Sequence, residues 1–119
     1  MTTASLLHGT RVIDLSQYIP GPYASLMLAD LGADVVKVEP PVGDPMRQYG
    51  ANGAEVSPLY STMNGGKRVV HLDLKTQKDH GAILDLLASA DVLIESYRPG
   101  VMDRLGLSRK VLEGREVPT

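Results

Sequence analysis

Cysteine, phenylalanine and tryptophan are all absent from the 119 residues. The missing cysteine excludes disulfides, thiolate metal sites and a cysteine nucleophile. Five Tyr are the only aromatics, so the 43% of residues that are apolar must build an aliphatic core. No stretch approaches the roughly 18 consecutive apolar residues of a membrane span. Met1 to His8 has neither a basic start nor a long apolar run, so it does not read as a secretory signal, and the cytoplasm is the default location. Excess charge is also small. A net charge of −2 gives no whole-chain attraction to nucleic acid or to an anionic membrane. The length allows one domain, with no internal repeat and no low-complexity run.

What is present is organised around Arg11 to Glu39. Arg11–Leu15 is short and β-branched, which suits a strand. Ser16 to Gly21 reads as a turn, and Pro22 suits the first turn of a helix, where an N–H is unpaired anyway. The helix formers after it end at Gly32, a glycine placed for a left-handed stop. Asp34–Glu39 is a second strand, ended by Pro40-Pro41. Two strands joined by a crossover helix form a parallel βαβ unit. Ligands in such sheets bind at the carboxyl ends of the strands, here the Ser16–Gly21 turn and the Glu39–Asp44 loop.

The second half repeats the alternation. Pro40 to Ser57 reads as a long loop, and Leu59–Met63 as a short helical turn. Val69–Leu74 is a third strand. Thr76 with Asp79 opens a helix in the manner of a capping box, and Ala82, Ile83, Leu86, Leu87 and Ala90 give it an apolar stripe. Val92–Glu95 is a fourth strand, followed by short helices over Val101–Leu105 and Arg109–Glu113. The expected fold is α/β, a Rossmann-like, mostly parallel sheet with covering helices.

Several familiar motifs fail. Glu39 stands where a dinucleotide fold places its ribose-binding acid, but the turn Gln17-Tyr18-Ile19-Pro20-Gly21-Pro22 is not G-x-G-x-x-G. Asn64-Gly65-Gly66-Lys67-Arg68 lacks the Walker spacing and reads as a turn with a solvated cationic pair. His71 and Asp73 share a strand face, but two ligands do not make a zinc site. Ser16, Ser25 and Ser61 lack the G-x-S-x-G elbow. The cations Arg98, Arg104, Lys67, Arg68 and Lys75 bracket strand ends, which suits a phosphorylated small molecule.

Taken together, Ile19-Pro20-Gly21-Pro22-Tyr23-Ala24, the run Leu28 to Pro41, Gly43-Asp44 and Arg47 resemble the N-terminal domain of the class III CoA-transferases. That family includes formyl-CoA and carnitine CoA-transferases and the α-methylacyl-CoA racemases. Asn64 with Lys67-Arg68, Leu72 to Lys75, and Asp91 to Gly106 agree in order and spacing. The resemblance covers residues 7–112 as an N-terminal CoA-binding part of a larger two-domain fold, leaving 113–119 as an unpatterned tail.

This resemblance implies roles. Positions matching Leu72, Asp73, Leu74 and Lys75, and Ser96, Tyr97 and Arg98, line the adenosine-diphosphate part of CoA. Arg104 supplies a cation for CoA phosphates, and Ile19-Pro20 approach the thioester end. An arginine common in the family after the second strand's acid is Pro40 here, and its usual Asn-Phe is Ser96-Tyr97. The family's catalytic aspartate, and the racemases' His and Asp, match positions downstream of Thr119, so no catalytic residue and no metal ligand is expected within the chain. The implied activity moves CoA from an acyl-CoA donor to a carboxylic acid through a carboxylate nucleophile. A racemase-like enzyme and a non-catalytic CoA-binding fragment remain alternatives. The implied partners are acyl-CoA, a carboxylic acid and, for the complete protein, a second copy of itself.

Overall fold

A computed structural model describes residues 6–49 and 56–114. Arg11–Asp14 (β1), Asp34–Glu39 (β2), Arg68–His71 (β3) and Val92–Ile94 (β4) form one sheet in the order β3-β2-β1-β4, with every pairing parallel. The register sets Val12 beside Val35 and Val92, and Asp14 beside Lys37 and Ile94. The chain winds from β1 outward to β3, then returns to the other side of β1. The crevice between β1 and β4 is therefore the switch point, where open α/β sheets bind ligands.

Helices cover both faces. Pro20–Asp30 (α1) lies against one face, where Leu28 and Ala29 pack on Val12, Ala33 and Val35. The other face carries the main core. Ile13, Leu15, Val36 and Val38 meet Ile83, Leu84 and Leu87 of Gln77–Ala88 (α3), with Met102 of Val101–Arg104 (α4) and Leu112 of Arg109–Gly114 (α5). Every large side chain in this core is aliphatic apart from Tyr97, as the composition requires. Pro58–Asn64 (α2) and a single 3-10 turn at Pro45–Arg47 close over the C-terminal half of the α1 face.

The elements follow the sequence closely, with local differences. Helix α1 begins at Pro20 rather than Pro22, because Pro20, Gly21 and Pro22 all occupy the first turn, where missing or unpaired N–H groups cost nothing. It ends as expected at Gly32, whose φ is 101°. The ladder of β3 stops at His71, so Leu72, Asp73 and Leu74 lie in the following turn and His71 and Asp73 do not share a strand face. Leu72 and Leu74 nevertheless pack on the core, which is why the alternation looked longer than the strand. Helix α5 runs one residue beyond Glu113. Residues 115–119 of the tail fall outside the described residues, as do 50–55 of the long loop.

Thr76 caps α3 by accepting from the Asp79 amide, while the Asp79 carboxylate turns away to accept from the Asp73 amide at 2.8 Å. Two variants separate cap from core. Thr76→Ala is expected to lose about 1 kcal/mol, and Ile83→Ala, at a fully buried position, about 2–5 kcal/mol. Urea unfolding measures both. A Thr76→Ala loss equal to that of Ile83→Ala would mean that the helix is held by its end rather than its stripe.

Candidate functional site

The α1 face of the sheet is apolar at its N-terminal end and charged at its C-terminal end. Val12 and Val35 give way, two residues on, to Asp14 and Lys37, and then to Glu39. All three charged side chains are buried, and lysine is almost never fully buried without a partner. Lys37 Nζ lies 2.8 Å from Asp44 Oδ2, although the angle does not make a hydrogen bond. Lys67, just before β3, reaches under α1 with a fully buried side chain. Its Nζ donates to Asp14 at 3.2 Å, Asn64 Oδ1 at 2.8 Å and the Pro22 carbonyl at 2.9 Å. Burial lowers the Lys67 pKa, and the Asp14 charge works against that shift. The expectation of a solvated Lys67–Arg68 pair is thus wrong for Lys67. Arg68 is exposed, but it pairs with Asp34 at the opposite end of the sheet.

Glu39 completes the cluster. Arg47 grips its carboxylate with two hydrogen bonds of 2.7 and 2.9 Å, the Asp44 amide donates at 2.8 Å, and the Tyr60 hydroxyl donates as well. Burial alone would push this carboxyl up. The hydrogen bonds from Arg47, Tyr60 and the Asp44 amide outweigh it and hold the pKa down at about 2. With its carboxylate so engaged, Glu39 is not set up to hold a ribose.

The cluster fixes the β1–α1 turn. The Ser16 amide and hydroxyl both donate to Asp14 Oδ1, and Ser25 Oγ donates to Asp14 Oδ2 at 2.5 Å. Gly21 sits hard against Ser16, and a Cβ there would collide with the serine side chain. At the turn's apex Tyr18 has φ 66°, a left-handed conformation uncommon for a tyrosine. The Gln17 amide reaches across the switch point to Ser96 Oγ at 3.4 Å, joining the turns that follow β1 and β4.

Beside this turn, at the carboxyl ends of the strands, lies a cavity of about 180 Å³. Its walls include Val38, Pro40, Leu72, Leu74, Tyr97 and Val101, with Gln17, Glu39, Asp73 and Lys75 at polar positions. Burial, then the charge of Glu95, pushes the Tyr97 phenol up, so it stays a neutral donor. A second cavity of about 370 Å³ shares Leu74, Lys75 and Leu105 with the first, and adds Arg104 and His80. The two make a trough with an apolar end and a cationic end.

Of the residues expected in the site, Leu72, Asp73, Leu74, Lys75 and Tyr97 line the first cavity, and Arg104 the second. Ser96 touches the β1–α1 turn instead. Ile19 and Pro20 are exposed at the start of α1, and Arg98 is exposed before α4; none of the three lines either of these cavities. Sequence reasoning missed Gln17, Val101, Leu105 and His80. The i, i+4 apolar pair Val101 and Leu105 was a usable signal; His80 had none. Among the described residues no group of three metal-ligating side chains occurs, and no helix is long and apolar enough to cross a membrane.

The sequence profile described as CoA-transferase family III matches residues 7–116. The chain is 44% identical over 105 residues to the acetyl-CoA:oxalate CoA-transferase of Acetobacter aceti, covering 87% of this chain and 27% of that protein. It is 40% identical over 110 residues to the succinyl-CoA–L-malate CoA-transferase alpha subunit of Chloroflexus aurantiacus, covering 90% and 26%. The crystal structure of a CAIB/BAIF family protein from Brucella suis superposes with a TM-score of 0.89 at 34% identity, over 93% of this chain and 31% of that one. The chain therefore spans about a quarter of the length of these curated relatives.

The Glu39 site sets an acid limit on stability. A carboxyl held at about 2 when folded, against an ordinary 4.5, stabilises the fold above pH 4.5, and that contribution is lost as pH falls toward 2. The loss through this group is roughly 3 kcal/mol. Glu39→Gln is expected to be less stable at pH 7 and to show a flatter stability profile between pH 5 and 2. Urea unfolding at a series of pH values measures both, and parallel profiles would contradict the assignment.

Proposed function

The chain belongs to CoA-transferase family III, and on that premise we propose that its trough holds the nucleotide end of CoA or an acyl-CoA. The chain is then the CoA-binding N-terminal portion of an enzyme that moves CoA from an acyl-CoA donor to a carboxylic acid. One observation carries the reading. The Leu72–Lys75 turn, Tyr97 and Arg104, separated by up to 32 positions in sequence, come together around contiguous cavities at the carboxyl ends of the strands. The apolar end suits a flat base. Lys75 and Arg104, which have no acid within ion-pair distance among the described residues, suit phosphates. The exposed Ile19 and Pro20 at the switch point lie on the side proposed for the thioester, with Ser96 and Arg98 flanking.

No catalytic residue is proposed within the chain. Asp14, Glu39 and Asp44 are each buried and engaged by cations, so none is free to attack a thioester. No metal is required. For the complete protein a homodimer is proposed. Exposed Ile19, Tyr23 and Met27 recur every four residues along α1, leaving an apolar stripe for further chain or a second copy to cover.

Calorimetric titration with CoA, dephospho-CoA and NAD tests the site. CoA is expected to bind more tightly than NAD, and Arg104→Ala to weaken CoA about ten- to a hundredfold, the size of one charge-assisted contact. A smaller loss for dephospho-CoA would assign Arg104 to the 3′-phosphate; an equal loss would assign it to the diphosphate. NAD binding as tight as CoA, or an Arg104→Ala variant that binds CoA like wild type, would overturn the placement.

A further inference from the structure

The cationic end of the trough contains a group that the CoA reading leaves without a role. His80, on the first turn of α3, is half-buried and lines the larger cavity with Lys75 and Arg104. Its Nε2 lies 3.0 Å from the Gly106 carbonyl oxygen. A carbonyl only accepts, so Nε2 carries a hydrogen and donates whether the ring is neutral or charged. Proton uptake is thereby confined to Nδ1. The ring is also seated closely. Gly106 has φ 72°, and a Cβ there would stand 2.7 Å from Nε2, so the imidazole packs against bare backbone.

The charged side chains that line this cavity carry one sign, while Asp73 lies on the wall of the first cavity, accepting from the Lys75 amide. Lys75, from the turn before α3, and Arg104, from α4, line the same cavity, and no carboxylate does so among the described residues. On its own helix the neighbouring Asp79 is turned to the Asp73 amide, and Lys78 is exposed. Asp103 is exposed on α4, beside Arg104 in sequence. With a phosphate present, a proton on His80 would complete a cationic triad with Lys75 and Arg104 around a dianion. Ligand and proton should therefore each favour the other.

We propose that His80 is a third phosphate-recognising side chain, beside Lys75 and Arg104, that takes a proton from solvent onto Nδ1 as a phosphorylated ligand binds. The proposal rests on the reading of the trough as a CoA site. It adds that recognition is linked to pH through a residue other than the two permanent cations. Histidine is the side chain suited to such a link between pH 5 and 8.

Titrations of the chain with CoA and with adenosine 3′,5′-bisphosphate between pH 6 and 8 test this, using wild type, His80→Gln and His80→Arg. Comparison with His80→Gln removes the ligand's own protonation, which is common to both. Wild-type affinity is expected to exceed that of His80→Gln by about tenfold at pH 6, one charge-assisted contact, with the ratio shrinking toward unity at pH 8. His80→Arg is expected to keep the advantage at pH 8. As a check independent of variants, the His80 ring signals of wild type, followed by NMR, should titrate at higher pH when adenosine 3′,5′-bisphosphate is saturating. CoA binding with coincident wild-type and His80→Gln profiles, or a His80 titration unmoved by ligand, would overturn the role of His80 and leave the CoA site intact. Absence of CoA binding at every pH would overturn both.

Discussion

Six charges meet beneath the carboxyl ends of β1 and β2, and the surrounding architecture depends on their pairing. Asp14, Glu39 and Asp44 face Lys37, Lys67 and Arg47, three acids against three cations. Burying a single ion costs several kcal/mol, which attraction and hydrogen bonds offset only when every partner is in place. The cluster is thus a weak source of net stability and a strong source of specificity. Any rearrangement that removes one member leaves another charged and unpaired. The aliphatic core on the opposite face supplies the main drive to fold, and the charged face dictates how the loops close over the sheet.

That division explains the site. Lys67 ties the turn before β3 to β1 and to the Pro22 carbonyl, and Arg47 and Asp44 tie the loop after β2 to Glu39. The β1–α1 turn, with Tyr18 in its left-handed conformation, is held from below by Asp14, with the Gln17 amide reaching to Ser96 near its tip. One wall of the trough, at Val38, Glu39 and Pro40, is the edge of this same cluster. Buried cations are consumed in structure, while Lys75 and Arg104 line the trough outside the ion pairs found among the described residues. This separation lets a chain of slight net charge present a locally cationic surface.

Much of this was legible in the residues. The βαβ unit was visible because β-branched runs, Pro22 at a helix start and Gly32 each act locally. The apolar stripe of α3 marked the face that covers the sheet. The sheet order was not visible, since periodicity carries no information on which side of β1 the fourth strand adds. Nor was the burial of Lys67 apparent. Its partner Asp14 lies 53 positions away, and a cation after two glycines looks like any surface turn until α1 and α2 are placed over it. A hint lay in Asp34–Glu39, where Lys37 alternates with Val35 on a strand bounded by apolar neighbours. Family likeness pointed to Leu72–Lys75, Tyr97 and Arg104 on the walls of the trough, but Gln17, Val101, Leu105 and His80 were missed, and the position of His80 depends on how α3 packs.

Asp14 and Lys67 are held as a coupled, buried pair that organises the β1–α1 turn. A double-mutant cycle with Asp14→Asn and Lys67→Met, followed by urea unfolding, measures that coupling. Each single change should cost about 3–5 kcal/mol by leaving a buried charge unpaired. The double variant should cost less than the sum by at least about 1 kcal/mol. Additive losses would show that the two side chains stabilise the fold independently, and would contradict the account.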